Sequence, residues 1–372
     1  MKSNYRALSE LIEKVDERND DGAITELIGV SIDKCFIKSV ANTNGTDLSK
    51  YKIIRKNEFA VSLMQVSRDS KIPVARLEDY EVAIMSPAYP IFRVKDTRKI
   101  LPEYLDMWFK RPEFDREAAF IAVGGVRGSM PWEEFVKMKL PVPTIEKQLE
   151  IVNSYKAITE RIALKQKIND NLLDSVQAIF RSWFVDYDPF DGVCPSNWET
   201  GCVEDIAEFF DSMRKPLSSL ERTDMERIYP YYGAVSIVDY VDDYIFDGEY
   251  LLVSEDGIYV VDENGHPLIQ HISGKFWANN HAHILKGKSG FNEDSLYLFL
   301  ANTNMAPIVT GAAQPKINQA NLKSFPITIP DSETMLKFNN IIQPFFDQRL
   351  TNESEIKKLE ALQSLLLTRL VD

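Results

Sequence analysis

The chain has 372 residues, of which 44% are apolar and 11% aromatic, enough to fill two or three domain cores and too much for a largely disordered protein. The longest apolar runs are short and the opening Met1-Lys-Ser-Asn-Tyr-Arg6 has no apolar signal region, so a membrane span and secretion are disfavoured and a cytoplasmic location is expected. A net charge of −13 at first speaks against nucleic acid, because phosphate binding runs on Lys and Arg.

The distribution of charge softens that objection. Residues 1–185 carry 29 basic and 27 acidic side chains, residues 186–330 carry 9 and 22, and residues 331–372 carry 5 and 7. All the excess lies in one module, and within it residues 186–263 hold 4 basic and 20 acidic groups against 5 and 2 in residues 264–330. A basic face in that module can come only from its later half.

In chain order, residues 1–143 mix short helical and strand patterns, an α+β signature. Tyr5 to Val15 reads as an amphipathic helix, Asp16 to Gly22 as a polar turn and Ile24 to Val30 as a strand. A turn and a strand follow in Ile53 to Ser62, then a polar loop from Ser67 to Lys71 and strands at Val82 to Met85 and Ile91 to Val94. Leu101 to Phe109 and Phe114 to Ala122 have helical spacing; Gly124 to Ser129 is a flexible loop before Trp132, Phe135 and the strand Leu140 to Pro143.

From Thr144 to Phe184 apolar residues recur at steps of three and four with almost no Gly or Pro, the pattern of one long amphipathic helix. About forty residues at about 1.5 Å each span on the order of 60 Å, which suits a spacer. Asp186 to Gly192 then breaks the helix with Pro and Gly among acids. Strands are expected at Tyr229 to Val235, Tyr244 to Phe246, Tyr250 to Val253, Gly257 to Val261 and His281 to Leu285, and a helix at Leu296 to Leu300. The polar loop Gly311 to Asn318 leads through Leu322 to the strand Phe325 to Pro330, and Asp331 to Leu370 repeats the long-helix pattern, with Pro344 expected to kink or divide it.

The halves match in phrase order. Pro143 and Pro330 are 187 positions apart, Phe135 and Leu322 align at that offset, and Glu58 and Glu249 are 191 apart. A repeat of that size is a duplicated domain and not a solenoid unit. The expected fold is therefore α+β, with duplicated globular domains at 1–143 and 186–330 and long helices at 144–185 and 331–372. Each long helix could pack on its own domain, but two apolar stripes of matching length favour an antiparallel, coiled-coil-like pair.

These residues resemble the specificity subunit of a type I restriction-modification system. The phrases carrying the resemblance are Tyr229-Pro-Tyr-Tyr-Gly-Ala, Tyr240-Val-Asp-Asp-Tyr-Ile-Phe-Asp-Gly-Glu-Tyr-Leu-Leu-Val, Gly274-Lys-Phe-Trp-Ala-Asn-Asn-His-Ala-His-Ile-Leu and Ala313-Gln-Pro-Lys-Ile-Asn, with Ser86-Pro-Ala-Tyr and Leu140-Pro-Val-Pro in the first module. The resemblance implies two target recognition domains, each reading one half of a split site in double-stranded DNA. It further implies that the helices set the half-site spacing and dock two methyltransferase subunits, which motor-nuclease subunits can join. Catalysis would then lie in those partners, with S-adenosylmethionine on the methyltransferases and ATP with Mg in the restriction assembly, and with no cofactor, metal or membrane for this chain. The acidic second module departs from the basic recognition faces usual in that family.

Base reading needs fork-like donors and amides, with cations for phosphate. Candidates in the first module are Gln65, Arg68, Ser70 and Lys71 in one polar loop and Arg127 among glycines; in the second they are Lys275, Asn279, Asn280, Gln314, Lys316 and Asn318. Each first-module candidate reads equally well as a solvated surface residue, and in the second module the recurrence of Asn279, Asn280 and the Gln-Pro-Lys-Ile-Asn phrase across the family favours a structural role. Tyr155, Ile162, Ile168, Ile356 and Leu359 on the long helices are the candidates for partner docking.

His281 and His283 would share one side of a strand, a possible metal pair, although no acidic or Cys partner stands out by spacing, and hydrogen-bonded structural histidines are favoured. Cys35, Cys194 and Cys202 fit no metal spacing and read as reduced thiols. The glycine-rich phrase at 124–128 lacks P-loop and dinucleotide spacing, and no nucleophile triad is readable. Two other readings compete: a protein-binding scaffold with degenerate recognition domains and no DNA target, and an enzyme using the two histidines with nearby acids.

Overall fold

The computed structural model describes residues 4–39, 47–64, 66–122, 128–258, 260–311 and 313–371. The chain divides into two compact units, residues 1–165 with 354–372, and residues 166–353. Each unit therefore contains a stretch of both long helices.

In the first unit a four-stranded antiparallel sheet runs in the order Ile12–Val15, Ile91–Val94, Phe59–Val61, Val74–Arg76. Its buried face is aromatic: Phe59 stacks on Phe92 at 5.1 Å and Phe109 meets Phe59 edge-on at 5.7 Å. The helices Pro102–Phe109 and Pro112–Ala122 supply Phe109 and Phe114 to this core. Leu367 and Leu370, from the far end of the sequence, are buried in it as well.

The expected helix from Tyr5 to Val15 is instead a strand Tyr5–Ala7, one helical turn Leu8–Leu11 and a strand Ile12–Val15. An isolated helix of eleven residues is marginal in water. Here Tyr5–Ala7 pairs with Lys139–Pro141 and Ile12–Val15 with Ile91–Val94, so long-range strand pairing supplies the backbone hydrogen bonds.

In the second unit the sheet order is Ala207–Phe209, Ala282–Gly287, Phe246–Ser254, Ile269–Ala278, Tyr229–Tyr232, Ile237–Val241. The first four strands, all antiparallel, repeat the order of the first unit; Tyr229–Tyr232 then joins in parallel and Ile237–Val241 forms the outer edge. The entry motif repeats too, since Glu199–Cys202 pairs with Pro326–Ile329 and leads into the turn Val203–Ile206. Duplication is thus visible in strand order.

One strand expectation fails in this unit, and one long strand has no counterpart among the expectations. Gly257 to Val261 forms only an isolated bridge from Val261 to Pro267, with Ile258 83% exposed. The ten-residue strand Ile269–Ala278 has no clean alternation, because Ser273, Gly274 and Lys275 interrupt it. Gly274 pairs with Gly248 at positive φ on both strands, +98° and +122°, a conformation that only Gly adopts freely within a sheet.

The long helices run from Ile145 to Phe184 and from Ser332 to Thr368. The second continues through Pro344 undivided. A helical proline costs about 3 kcal/mol, and burial of the flanking Ile342 and Phe346 in the second unit's core offsets it. Antiparallel pairing is explicit in the first unit, where Gln363 Nε2 donates to Thr159 Oγ1 at 2.8 Å and Lys165 Nζ lies 2.6 Å from Glu355. In the second unit Asn352 meets Asn169 at 2.8 Å, and Val176 and Phe180 share a core with Phe338 and Ile342.

Gln148 fixes the start of the first long helix. Fully buried, it donates to the carbonyls of Lys99 at 2.9 Å and Pro143 at 2.8 Å and accepts from Leu101 N–H at 2.9 Å. Among the described residues no helix is long and apolar enough to cross a membrane.

Candidate nucleic-acid interface

In the first unit the loop candidates sit on and after one helical turn, Val66–Asp69, rather than on an open loop. Arg68 is exposed and its guanidinium pairs with its neighbour Asp69, Nε to Oδ1 at 2.7 Å and Nη2 to Oδ2 at 3.1 Å. Ser70 takes a left-handed backbone, φ +51°, which turns the chain out of the helix. Lys71 is exposed, 3.7 Å from Asp33. Gln65 and Arg127 lie outside the described residues.

In the second unit Lys275 is exposed, its ammonium 4.3 Å from the centre of the Tyr244 ring. Other lysines of this unit are held in the same way: Lys286 lies over Tyr250 at 4.5 Å and Lys323 over Phe209 at 5.1 Å. Asn280 and Gln314 are exposed; Gln314 is at the tip of a hairpin-like loop closed by two backbone hydrogen bonds between Thr310 and Lys316, each 2.8 Å. Asn279, by contrast, is buried and its Oδ1 accepts from His281 N–H at 2.8 Å, while Asn318 caps the helix Gln319–Lys323 by accepting from Asn321 N–H at 2.8 Å. Both side chains hold the chain's own backbone, which moves them from the reading face to the framework.

Beneath the Gly311–Asn318 loop lies a charged network that sequence spacing does not reveal. Asp211, Glu255 and His283 bring ligand-type atoms within 4.8 Å of one another. Arg214 bridges the carboxylates, Nη1 to Glu255 at 2.6 Å and Nη2 to Asp211 at 3.4 Å, and Lys316 reaches Glu255 at 2.9 Å. Gln319 donates to Asp211 at 2.7 Å, and His283 places Nδ1 2.6 Å from Asp211 and Nε2 2.8 Å from the Ile317 carbonyl. Two protein cations already balance the two acids, so the group acts as an internal ion network that ties the loop to the sheet.

Burial alone would raise the Asp211 carboxyl, but the hydrogen bonds from His283 and Ile284 N–H, with Arg214 nearby, hold it below the usual carboxylate range. Burial pushes Glu255 the same way, and Lys316 and Arg214 bring it below its ordinary value. The two histidines part, each hydrogen-bonded to its own carboxylate. His281, ahead of the strand Ala282–Gly287, is exposed and meets Asp256 at 2.6 Å, whereas His283 is fully buried on Asp211. The acidic partners that spacing failed to show lie 72 and 28 residues from His283.

On the long helices, Ile162 is 8% exposed and Tyr155 packs against the first unit's core, which corrects their placement on an open docking face. Ile168 is exposed and Ile356 and Leu359 are half-buried. Leu149, Leu164, Leu336, Ile341, Leu362 and Leu365 are further open apolar positions on these helices. All three cysteines are free.

Comparison with known proteins agrees with this architecture. Residues 195–362 match the type I restriction modification DNA specificity domain. A Haemophilus influenzae protein named as a type I restriction enzyme specificity subunit is 39% identical over 128 residues, 34% of this chain and 32% of that protein. The type I restriction enzyme MjaIX specificity subunit of Methanocaldococcus jannaschii is 22% identical over 297 residues, 73% of this chain and 68% of its own. The S subunit of the type I restriction-modification system of M. genitalium shares the fold with a TM-score of 0.59 at 15% identity, covering 100% of this chain and 97% of that one. Residues 195–362 are thus similar to the type I restriction modification DNA specificity domain, and the chain as a whole shares the fold of a type I S subunit.

Proposed function

We propose that this chain is the non-catalytic DNA-recognition subunit of a type I restriction-modification complex. Each unit reads one half of a bipartite site in double-stranded DNA, and the helix pair sets the distance between the halves. Two methyltransferase subunits dock on the open apolar positions of the helices, and motor-nuclease subunits join them in the cytoplasm. Catalysis, S-adenosylmethionine and the ATP with Mg of restriction belong to those partners. The observation that carries this reading is the repeated four-strand order in the two units, joined to the family match over residues 195–362. A duplicated reader on two long helices is suited to a split site.

The acidity of residues 186–263 favours a division of labour in which binding needs the assembled complex, because this chain alone offers few unpaired cations to phosphate. The test is co-expression with the methyltransferase chain followed by methylome sequencing. Methylation of one bipartite motif is expected. An assembled complex that modifies no such motif and shows no salt-dependent DNA binding would instead support a protein-binding scaffold.

A further inference from the structure

Separate segments of the first unit converge on one buried ion pair. Lys34 lies in the turn between the strands Ile28–Val30 and Phe36–Lys38, with φ +62° and 7% exposure. Its ammonium is 2.8 Å from Asp115 Oδ1, donates to the Phe109 carbonyl and lies 5.7 Å from the centre of the Phe114 ring. The same Asp115 oxygen accepts from Ile72 N–H at 3.1 Å, the residue after Lys71. One carboxylate on the helix Pro112–Ala122 thus fastens both the turn around Lys34 and the segment that carries Ser70 and Lys71. The turn Val66–Asp69 packs on that same helix, and a Cβ at Gly128 would collide with Ser67 Oγ, so the chain at Gly128 is seated against that turn.

A buried ion pair is a weak source of stability, since desolvating both charges consumes most of their attraction. What it does supply is geometry, because removing either charge strands the other. The surface around it is built for contact. Arg68, Ser70 and Lys71 are exposed. Met64, just before Val66, is 51% exposed. An exposed Arg, Ser and Lys on one short segment match a nucleic acid, which offers base edges and phosphates together.

Resting on the function proposed above, we infer that Lys34 and Asp115 are the positioning pair of a DNA-reading surface formed by Arg68, Ser70 and Lys71. The experiment uses the assembled methyltransferase complex, with thermal melting to follow folding and methylome sequencing to follow base choice. For K34M/D115N we expect base discrimination in one half-site to fall at least 10-fold while the other half-site is read as before. For K71A we expect unchanged melting, weaker DNA binding and a salt slope shallower by about 1. Should the double variant fail to fold, K34R, which keeps both charges and changes only the shape of the donor, takes its place with the same expectation. Variants that fold, assemble and read both half-sites with wild-type discrimination would overturn the positioning role alone. A wild-type complex that modifies no bipartite site would take down both this inference and the function it rests on.

Discussion

Asn352 donates its side-chain N–H to Asn169 Oδ1 at 2.8 Å between the two long helices, and at 2% exposure it is buried. Gln348 donates to the remaining Asn352 oxygen at 3.0 Å. A polar pair inside a helix seam fixes register at some cost in stability. Asn352→Leu, which leaves Asn169 without this partner, is expected to lose about 1–3 kcal/mol. Asn169→Leu with Asn352→Leu is expected to regain most of that loss, since apolar replacement of both members of a buried polar pair is nearly neutral. Urea unfolding of the single and the double variant against the natural chain checks this, and equal losses in the two would refute it.

Asp294 supplies a pH signature. Burial, with Glu249, Asp347 and Glu293 nearby, pushes its carboxyl up to about 7. Between about 4 and 7 the unfolded chain loses this proton while the folded chain keeps it, so stability falls as pH rises through that window. The upper bound is about 4 kcal/mol at about 1.36 kcal/mol per pH unit. His271, pushed down to about 4 by burial and Arg349, has the opposite sign from about 4 to 6.5. The two offset each other in the natural chain, so Asp294→Asn should gain stability at pH 8 relative to pH 4. Chemical denaturation at the two pH values measures the difference.

The Asp211 network should behave as one unit. Asp211→Asn weakens the hold on His283, Arg214 and Gln319 together and is expected to cost about 3–5 kcal/mol, the range for breaking a buried charged set. Hydrogen exchange at Ile284, whose N–H donates to Asp211 Oδ1 at 2.9 Å, is expected to accelerate. Unchanged protection there would show that the network is not needed to hold the sheet.

The helices predict a ruler. Adding seven residues to each, between Glu150 and Asp174 and at the facing stretch of its partner, lengthens the pair by about 10 Å. At about 3.4 Å per base pair the half-site spacing should grow by about three base pairs, with both half-site sequences kept. Methylome sequencing of the lengthened chain decides it, and altered half-site sequences at constant spacing would sink the idea.

Long-period features were readable in advance: the helix at Ile145–Phe184 was expected within one residue, because forty positions of helical spacing average over local noise. Short elements were not. Tyr5–Val15 carries helical spacing, and only its pairing with residues more than 75 positions away makes strands of its two ends. The Asp211–Glu255–His283 network and the Lys34–Asp115 pair escaped for the same reason, since no local spacing joins residues 72 or 81 positions apart. Asn318 could have been recognised from the start, as an Asn three residues before Asn321 at the head of a short helix is a capping signal.

Leu367 and Leu370 complete the core of the first unit, yet the whole second unit, residues 166–353, separates them from residue 165. During synthesis the first unit's core is therefore completed only after residue 370 has left the ribosome, since both leucines belong to its buried cluster. The second unit is continuous in sequence and can close first. Order of synthesis and order of folding are thus reversed, and a nascent chain arrested before residue 367 should hold a finished second unit beside a protease-sensitive first one.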